Sequence, residues 1–212
     1  VLTALYGGAF DPVHNGHLAV ARAAAAALEA DVRLLPTGDP RHRAPAHASG
    51  PHRVAMLRLA VAGSQELTVD TREIDRAGAS YSFDTLRELR GELGDEAPLA
   101  LIVGADALLG LPRWHRWREL FGLAHFVVAE RPGVDLDAAC AGGELGDAVR
   151  GRWLGSAAAL RAAPGGGLLR LWLPLQPESS SAVRAAVAAG ASIATAVPPA
   201  VAAYIAQHGL YR

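Results

Sequence analysis

His14 and His17 stand three residues apart in the run Tyr6-Gly7-Gly8-Ala9-Phe10-Asp11-Pro12-Val13-His14-Asn15-Gly16-His17. The apolar residues before the glycines read as a strand, and the residues after the histidines as a helix. Such a hand-over offers a row of backbone N–H groups at the helix start. With two imidazoles beside them, those groups suit an anion, above all a nucleotide phosphate. Gly7-Gly8 lets a ligand approach the backbone closely or allows positive φ, and equally suits a plain tight turn. The run is not a dinucleotide fingerprint, because G-x-G-x-x-G is missing. Histidines at this spacing share a helical face, where they could hold zinc or be satisfied structural imidazoles. No third ligand stands at a metal-like spacing, and Gly16 clears space for something to approach the backbone.

Other residues carry chemistry of the same kind. Ser179 and Ser181 lie where the last strand hands over to a helix, so their hydroxyls can cap it or bind phosphate oxygens. Arg184, one turn on, could reach the same anion. Asp106, just after Gly104 at a strand end, can accept from ribose hydroxyls or cap the helix that follows. Trp114 can stack on an aromatic ring or fill the core. Tyr81 and Thr85 sit at a helix entry, with Ser82 as its candidate cap. Arg43 and Arg131 read as surface arginines or as phosphate binders. His47, His52, His125 and His208 have no motif support and read as structural or solvated. The single cysteine, Cys140, excludes an internal disulfide and fits a reducing compartment.

The elements that must position these residues alternate. Strands are expected at 2–6, 32–35, 67–71, 99–103, 126–129 and 169–173. Helices are expected at 17–28, 51–62, 82–93, 105–109, 114–120, 181–189 and 198–207. Pro51 follows Ser49-Gly50 as a helix start, and Gly190 reads as a stop. The alternation predicts an α/β fold, a doubly wound parallel sheet with helices on both faces. Ligands in such sheets lie beyond the carboxyl ends of the strands, where strand order reverses, and residues 7–17 follow the first strand. Residues 36–50 read as a loop, and 136–167 show weak periodicity. The 212 residues suit a single domain spanning 1–212, with C-terminal helices (about 179–212) packing on the core. The net charge of -1 supplies no basic field for nucleic acid. No run reaches the ~18–20 apolar residues of a membrane span. The start of the chain lacks signal-peptide features, so a cytoplasmic location is the expectation. All 20 basic residues are arginine. A cation acting on phosphate would thus be Arg, His, a helix N-terminus or a metal.

The combination Gly-Gly-x-Phe-Asp-Pro-x-His-x-Gly-His resembles the HxGH nucleotidylyltransferase superfamily, and more narrowly the nicotinate mononucleotide adenylyltransferases. Further segments resemble that family: 36–43 its Pro-rich loop, 79–86 its Ser-Tyr-Thr segment, and 102–108 its Gly-x-Asp strand end. So do 112–117 its tryptophan stretch, 130–133 its Arg-Pro-Gly turn, 178–184 its serine-rich helix start, and 209–212 its C-terminus. The resemblance implies a Rossmann-like nucleotidylyltransferase fold. It also implies transfer of the adenylyl group of ATP to nicotinate mononucleotide in NAD biosynthesis. ATP would meet Gly7, Gly8, Ala9, Phe10, His14, Gly16, His17, Gly104, Asp106, Ser179, Ser181 and Arg184, with His14, His17 and Arg184 acting in catalysis. The mononucleotide would meet Arg43, Ser80, Tyr81, Ser82, Thr85, Trp114, His115 and Arg131. Mg²⁺ would ride on the ATP phosphates without dedicated protein ligands. A homo-oligomer is compatible with this reading.

Three positions depart from the family pattern. Ala9 lacks a hydroxyl, worth about 0.5–1.5 kcal/mol for an ordinary hydrogen bond and about 1.5–3 kcal/mol to a charged group. Arg41 stands where a second Pro is common. Glu178 replaces an apolar residue. Two alternatives stand beside the leading reading. One is another phosphorylated acceptor, such as nicotinamide mononucleotide, or phosphopantetheine, which has no aromatic ring for Trp114. The other is a nucleotide-binding protein that has lost turnover.

Overall fold

A computed structural model describes residues 1–38, 46–130, 135–172 and 177–212. Arg41, Arg43 and Arg131 lie outside them. Short apolar runs form six strands: β1 (Thr3–Gly8), β2 (Asp31–Pro36), β3 (Leu67–Val69), β4 (Leu99–Gly104), β5 (His125–Glu130) and β6 (Leu168–Trp172). β4 is buried except at Gly104 and β5 throughout, so neither sequence alternates polar with apolar residues. The strands make one sheet in the order β3-β2-β1-β4-β5-β6. β4 runs parallel to both β1 and β5, and β5 parallel to β6, with Tyr6 opposite Ile102 and Glu130 opposite Trp172. Strand order reverses between β1 and β4, the arrangement of the expected doubly wound α/β fold.

The helices are α1 (Asn15–Leu28), α2 (Gly50–Ala60), α3 (Arg72–Asp75), α4 (Ser82–Leu93), α5 (Ala105–Leu109), α6 (Leu120–Leu123), α7 (Leu136–Ala139), α8 (Gly143–Val149), α9 (Ser180–Ala188) and α10 (Pro199–Gln207). The helix expected at 114–120 does not form. Two 3₁₀ turns, Leu111–Arg113 and Trp117–Glu119, replace it and lead into α6. The break is Arg116, at φ 53°, whose guanidinium lies 3.7 Å from the Phe83 ring centroid and pairs with Glu119. Residues 136–167, weak in periodicity, hold α7, α8 and the 3₁₀ turn Ala157–Ala162.

The chain forms two compact units. The first comprises Val1–Tyr6, Ala23–Val32 and Tyr81–Leu175. Its core joins Leu5, Leu86, Leu101, Phe121, Phe126 and Val128. Buried Arg90 donates to the carbonyls of Leu123, Gly94, Asp95, Ala97 and Pro164, fixing the approach to β4. His125 is structural, as expected: Nδ1 accepts from the Gly167 N–H, and Nε2 lies 2.9 Å from the Ala163 carbonyl. Cys140 packs beside this core, where burial raises its thiol pKa.

The second unit comprises Gly7–Arg22, Arg33–Ser80 and Gln176–Arg212. Here α10 packs on α2, and His52 shares a 2.9 Å hydrogen bond with the Tyr204 hydroxyl. Gly190, at φ 68°, stops α9 as expected. Its N–H and that of Ala191 donate back to Val187 and Ala186, closing the last turn.

Candidate functional site

The loop after β1 belongs to the second unit, and its turn is made differently from the expectation. Positive φ falls on Phe10 (49°), not on Gly7 or Gly8. The fully buried Phe10 ring folds under Gly8, where a Cβ would stand 3.0 Å from it, so a larger residue there needs the ring to move. A Cβ on Gly7 would meet nothing within 4 Å, which leaves the backbone open to a ligand.

His14 and His17 do not share a helical face, because His14 stands one residue before α1. The His14 Nδ1 accepts the His17 main-chain N–H at 3.3 Å, and the His17 Nδ1 accepts the His14 N–H at the same distance. This is the reciprocal geometry of a capping box, built from two imidazoles instead of Ser and Glu. The rings stack with centroids 3.7 Å apart, and Phe10 meets His17 edge-on at 4.9 Å. Because each Nδ1 accepts, the neutral rings carry their proton on Nε2, the atom suited to donate to an anion. The cap also fixes both rings at the positive end of a helix of 14 residues.

The rest of the loop is held by its carbonyls. Arg53 of α2 donates to the Ala9 carbonyl at 2.8 Å, and Arg184 of α9 to that of Asp11 at 2.7 Å. The Ser180 hydroxyl donates to the Pro12 carbonyl at 2.9 Å. Asn15 donates its N–H to Ala196 and its amide to Thr195. The Asp11 carboxylate is 4 % exposed and accepts from the N–H groups of His47 and Ala48 and from the Tyr211 hydroxyl. Burial, and then the Asp11 hydrogen bond, push the Tyr211 phenol well above its usual range.

At α9, Ser179 is the N-cap, its hydroxyl accepting from the Ala182 N–H. Arg184 also donates to the Ser181 hydroxyl at 3.2 Å. Thus Ser181, Arg184 and the loop are brought together. Ser80 directs its hydroxyl to the Glu73 carbonyl. The Glu178 Oε2 is buried with no hydrogen-bond partner among the described residues.

The first unit holds the remaining expected residues. Tyr81, and not Ser82, is the N-cap of α4, with no side-chain cap bond. The Tyr81 and His115 rings lie 4.6 Å apart, and Phe83 meets His115 edge-on. Thr85 is buried, its N–H donating to the Tyr81 carbonyl. Trp114 is half-buried against the core, while Trp117 is the deeply buried one. Gly104, not Asp106, is the cap residue of α5, and Asp106 is exposed in its first turn.

Sequence reasoning passed over Asp11, Arg53, Ser180 and Tyr211. Asp11, Ser180 and Tyr211 lie in segments that carry the family resemblance but had no individual role, and the three-residue histidine spacing, which is capping-box spacing, signalled part of this network. Among the described residues, no group of three or more His, Cys, Asp or Glu could hold a metal ion, and no helix is long and apolar enough to cross a membrane.

A family model described as cytidylyltransferase-like matches residues 5–186. A protein of Stenotrophomonas maltophilia named probable nicotinate-nucleotide adenylyltransferase is 58% identical, over 98% of this chain and 95% of its own length. One of the same name from Laribacter hongkongensis is 47% identical, over 100% of this chain and 95% of its own length. Among solved structures, the Plasmodium falciparum nicotinic acid mononucleotide adenylyltransferase complexed with NaAD superposes with a TM-score of 0.74. It covers 99% of this chain and 97% of that one, and at 16% identity the likeness is one of fold.

Proposed function

The chain belongs to the cytidylyltransferase-like family, and on that premise we propose that it transfers the adenylyl group of ATP to nicotinate mononucleotide. The products are nicotinate adenine dinucleotide and pyrophosphate, a step of NAD biosynthesis. The observation that carries this reading is the His14–His17 cap on a loop held by Arg53, Ser180 and Arg184. The names of the relatives at 58% and 47% identity support the acceptor.

In this reaction the mononucleotide phosphate attacks the α-phosphorus of ATP in line, and pyrophosphate leaves. The nucleophile is already anionic at neutral pH, so no general base is required. Catalysis consists of positioning two repelling anions and stabilising charge on the leaving group. The Nε2–H groups of His14 and His17 donate to triphosphate oxygens. The open backbone at Gly7 lets the phosphates come close. Arg184 has five N–H donors, so its contacts to Asp11 and Ser181 leave it able to meet a phosphate oxygen as well. Mg²⁺ would be carried on the ATP phosphates, with no protein ligands of its own, and would neutralise part of their charge. The loop's own groups are donors to anions, and its one carboxylate, Asp11, is already engaged by three donors. Within the first unit, the Tyr81–His115 pair and the half-buried Trp114 are aromatic groups of the kind that stack on a pyridine ring.

The test is acceptor-dependent pyrophosphate release from Mg·ATP, with nicotinate and nicotinamide mononucleotides compared. Higher kcat/KM with the nicotinate form is expected. A folded sample that releases no pyrophosphate with either would overturn the reading.

A further inference from the structure

Tyr211 reaches the loop that carries the two histidines. Tyr211 donates its hydroxyl to Asp11 Oδ1 at 2.8 Å, and Oδ1 also accepts from the Ala48 N–H at 3.0 Å. Tyr211 is half-buried and held at φ 65°, a conformation unfavourable for a bulky side chain that persists only where surrounding contacts enforce it. The preceding turn folds back onto α10, the Leu210 N–H donating to Ile205 and the Gly209 N–H to Ala206. Since α10 packs on α2, and α2 supplies Arg53 to the Ala9 carbonyl, the phenol is delivered from a fixed base. The Asp11 carboxylate is buried and accepts from three neutral donors, the His47 and Ala48 N–H groups and the Tyr211 hydroxyl.

We propose that Tyr211 is a positioning residue for the adenylyl-transfer reaction, holding the His14–His17 loop in register through Asp11. The phenol touches no substrate. Its bond fixes the Asp11 side chain while Arg184 fixes the carbonyl of the same residue, so Asp11 is gripped from both ends. Three residues on, the His14 ring takes its direction from where that grip leaves the backbone. Interactions that matter most as charge builds on the leaving pyrophosphate depend on this register, so its loss falls on kcat more than on KM.

The inference rests on the adenylyl-transfer reading, and its test has two independent readouts. Tyr211→Phe removes the hydroxyl and keeps the ring. Tyr204→Phe, which removes a hydroxyl bonded to His52 on the same C-terminal segment, is the control. Hydrogen exchange of the ligand-free proteins should show residues 9–17 losing protection in Tyr211→Phe and keeping it in Tyr204→Phe. Steady-state assays should show kcat lowered about ten-fold in Tyr211→Phe, with the KM for ATP changed less than about two-fold. Tyr204→Phe should retain kcat. Unchanged exchange at 9–17, or equal effects from the two variants, would overturn the inference. If the wild-type protein does not turn over, that failure counts against the reaction alone, and the exchange experiment still decides the role of Tyr211.

Discussion

His14 and His17 cap each other: each ring accepts the other's main-chain N–H through Nδ1, at 3.3 Å in both directions. The arrangement links helix stability to chemistry, because the bonds that start α1 also leave both protons on Nε2. It gives the three-residue spacing a reason. A spacing of two or four would break the reciprocity, whatever it did for ligand contact.

This separates two roles that an alanine substitution would merge. His14→Asn keeps a good capping acceptor and removes the imidazole. The variant should match wild-type stability to within about 0.5 kcal/mol by denaturant titration. Its kcat should fall about 10²- to 10³-fold, the usual cost of removing one aligned donor to developing charge.

Ala9 is exposed on the loop, and its carbonyl is already bound by Arg53. A hydroxyl added there needs no rearrangement of the core. Ala9→Ser should lower the KM for ATP by about three- to ten-fold, the value of one ordinary hydrogen bond. Initial-rate kinetics over a range of ATP concentrations checks this.

Much of this was legible in the sequence, and the exceptions share a cause. Strand β4 is an unbroken apolar run between turn residues, and α4 is a twelve-residue amphipathic stretch, so local pattern suffices for both. Residues 114–120 have helical composition, but Arg116 is drawn into the left-handed region by the Phe83 ring and Glu119, contacts no window of sequence contains. The histidines were found from spacing and assigned to a helical face, because composition does not say which residue precedes the first turn. Asp11 and Tyr211 lie 200 positions apart, and their bond has no local signature at all.

Glu178 precedes the α9 cap with a carboxylate oxygen buried and without a hydrogen-bond partner among the described residues. Such a group keeps its desolvation cost without return. Glu178→Leu should therefore stabilise the protein by about 1 kcal/mol, raising Tm by about 2–4 °C in a chain of this size. Differential scanning calorimetry at neutral pH would show it.

The raised pKa of Tyr211 has a consequence for alkaline stability. The folded protein keeps the phenol protonated while the unfolded chain releases the proton near pH ~10. The contribution is complete below that pH and declines as pH rises above it. Denaturation curves should show wild-type stability falling above pH ~10, and Tyr211→Phe falling less steeply over the same range.

Transfer of an adenylyl group from ATP to a pyridine mononucleotide at the His14–His17 loop would carry the α-phosphorus of ATP into the dinucleotide product. The most direct measurement uses ATP labelled at the α-phosphorus, incubated with nicotinate mononucleotide and the folded protein, with products separated by chromatography. The label should appear in nicotinate adenine dinucleotide, in proportion to protein and acceptor, while the pyrophosphate stays unlabelled. Label that remains in ATP, or that leaves as AMP without acceptor dependence, would contradict the account.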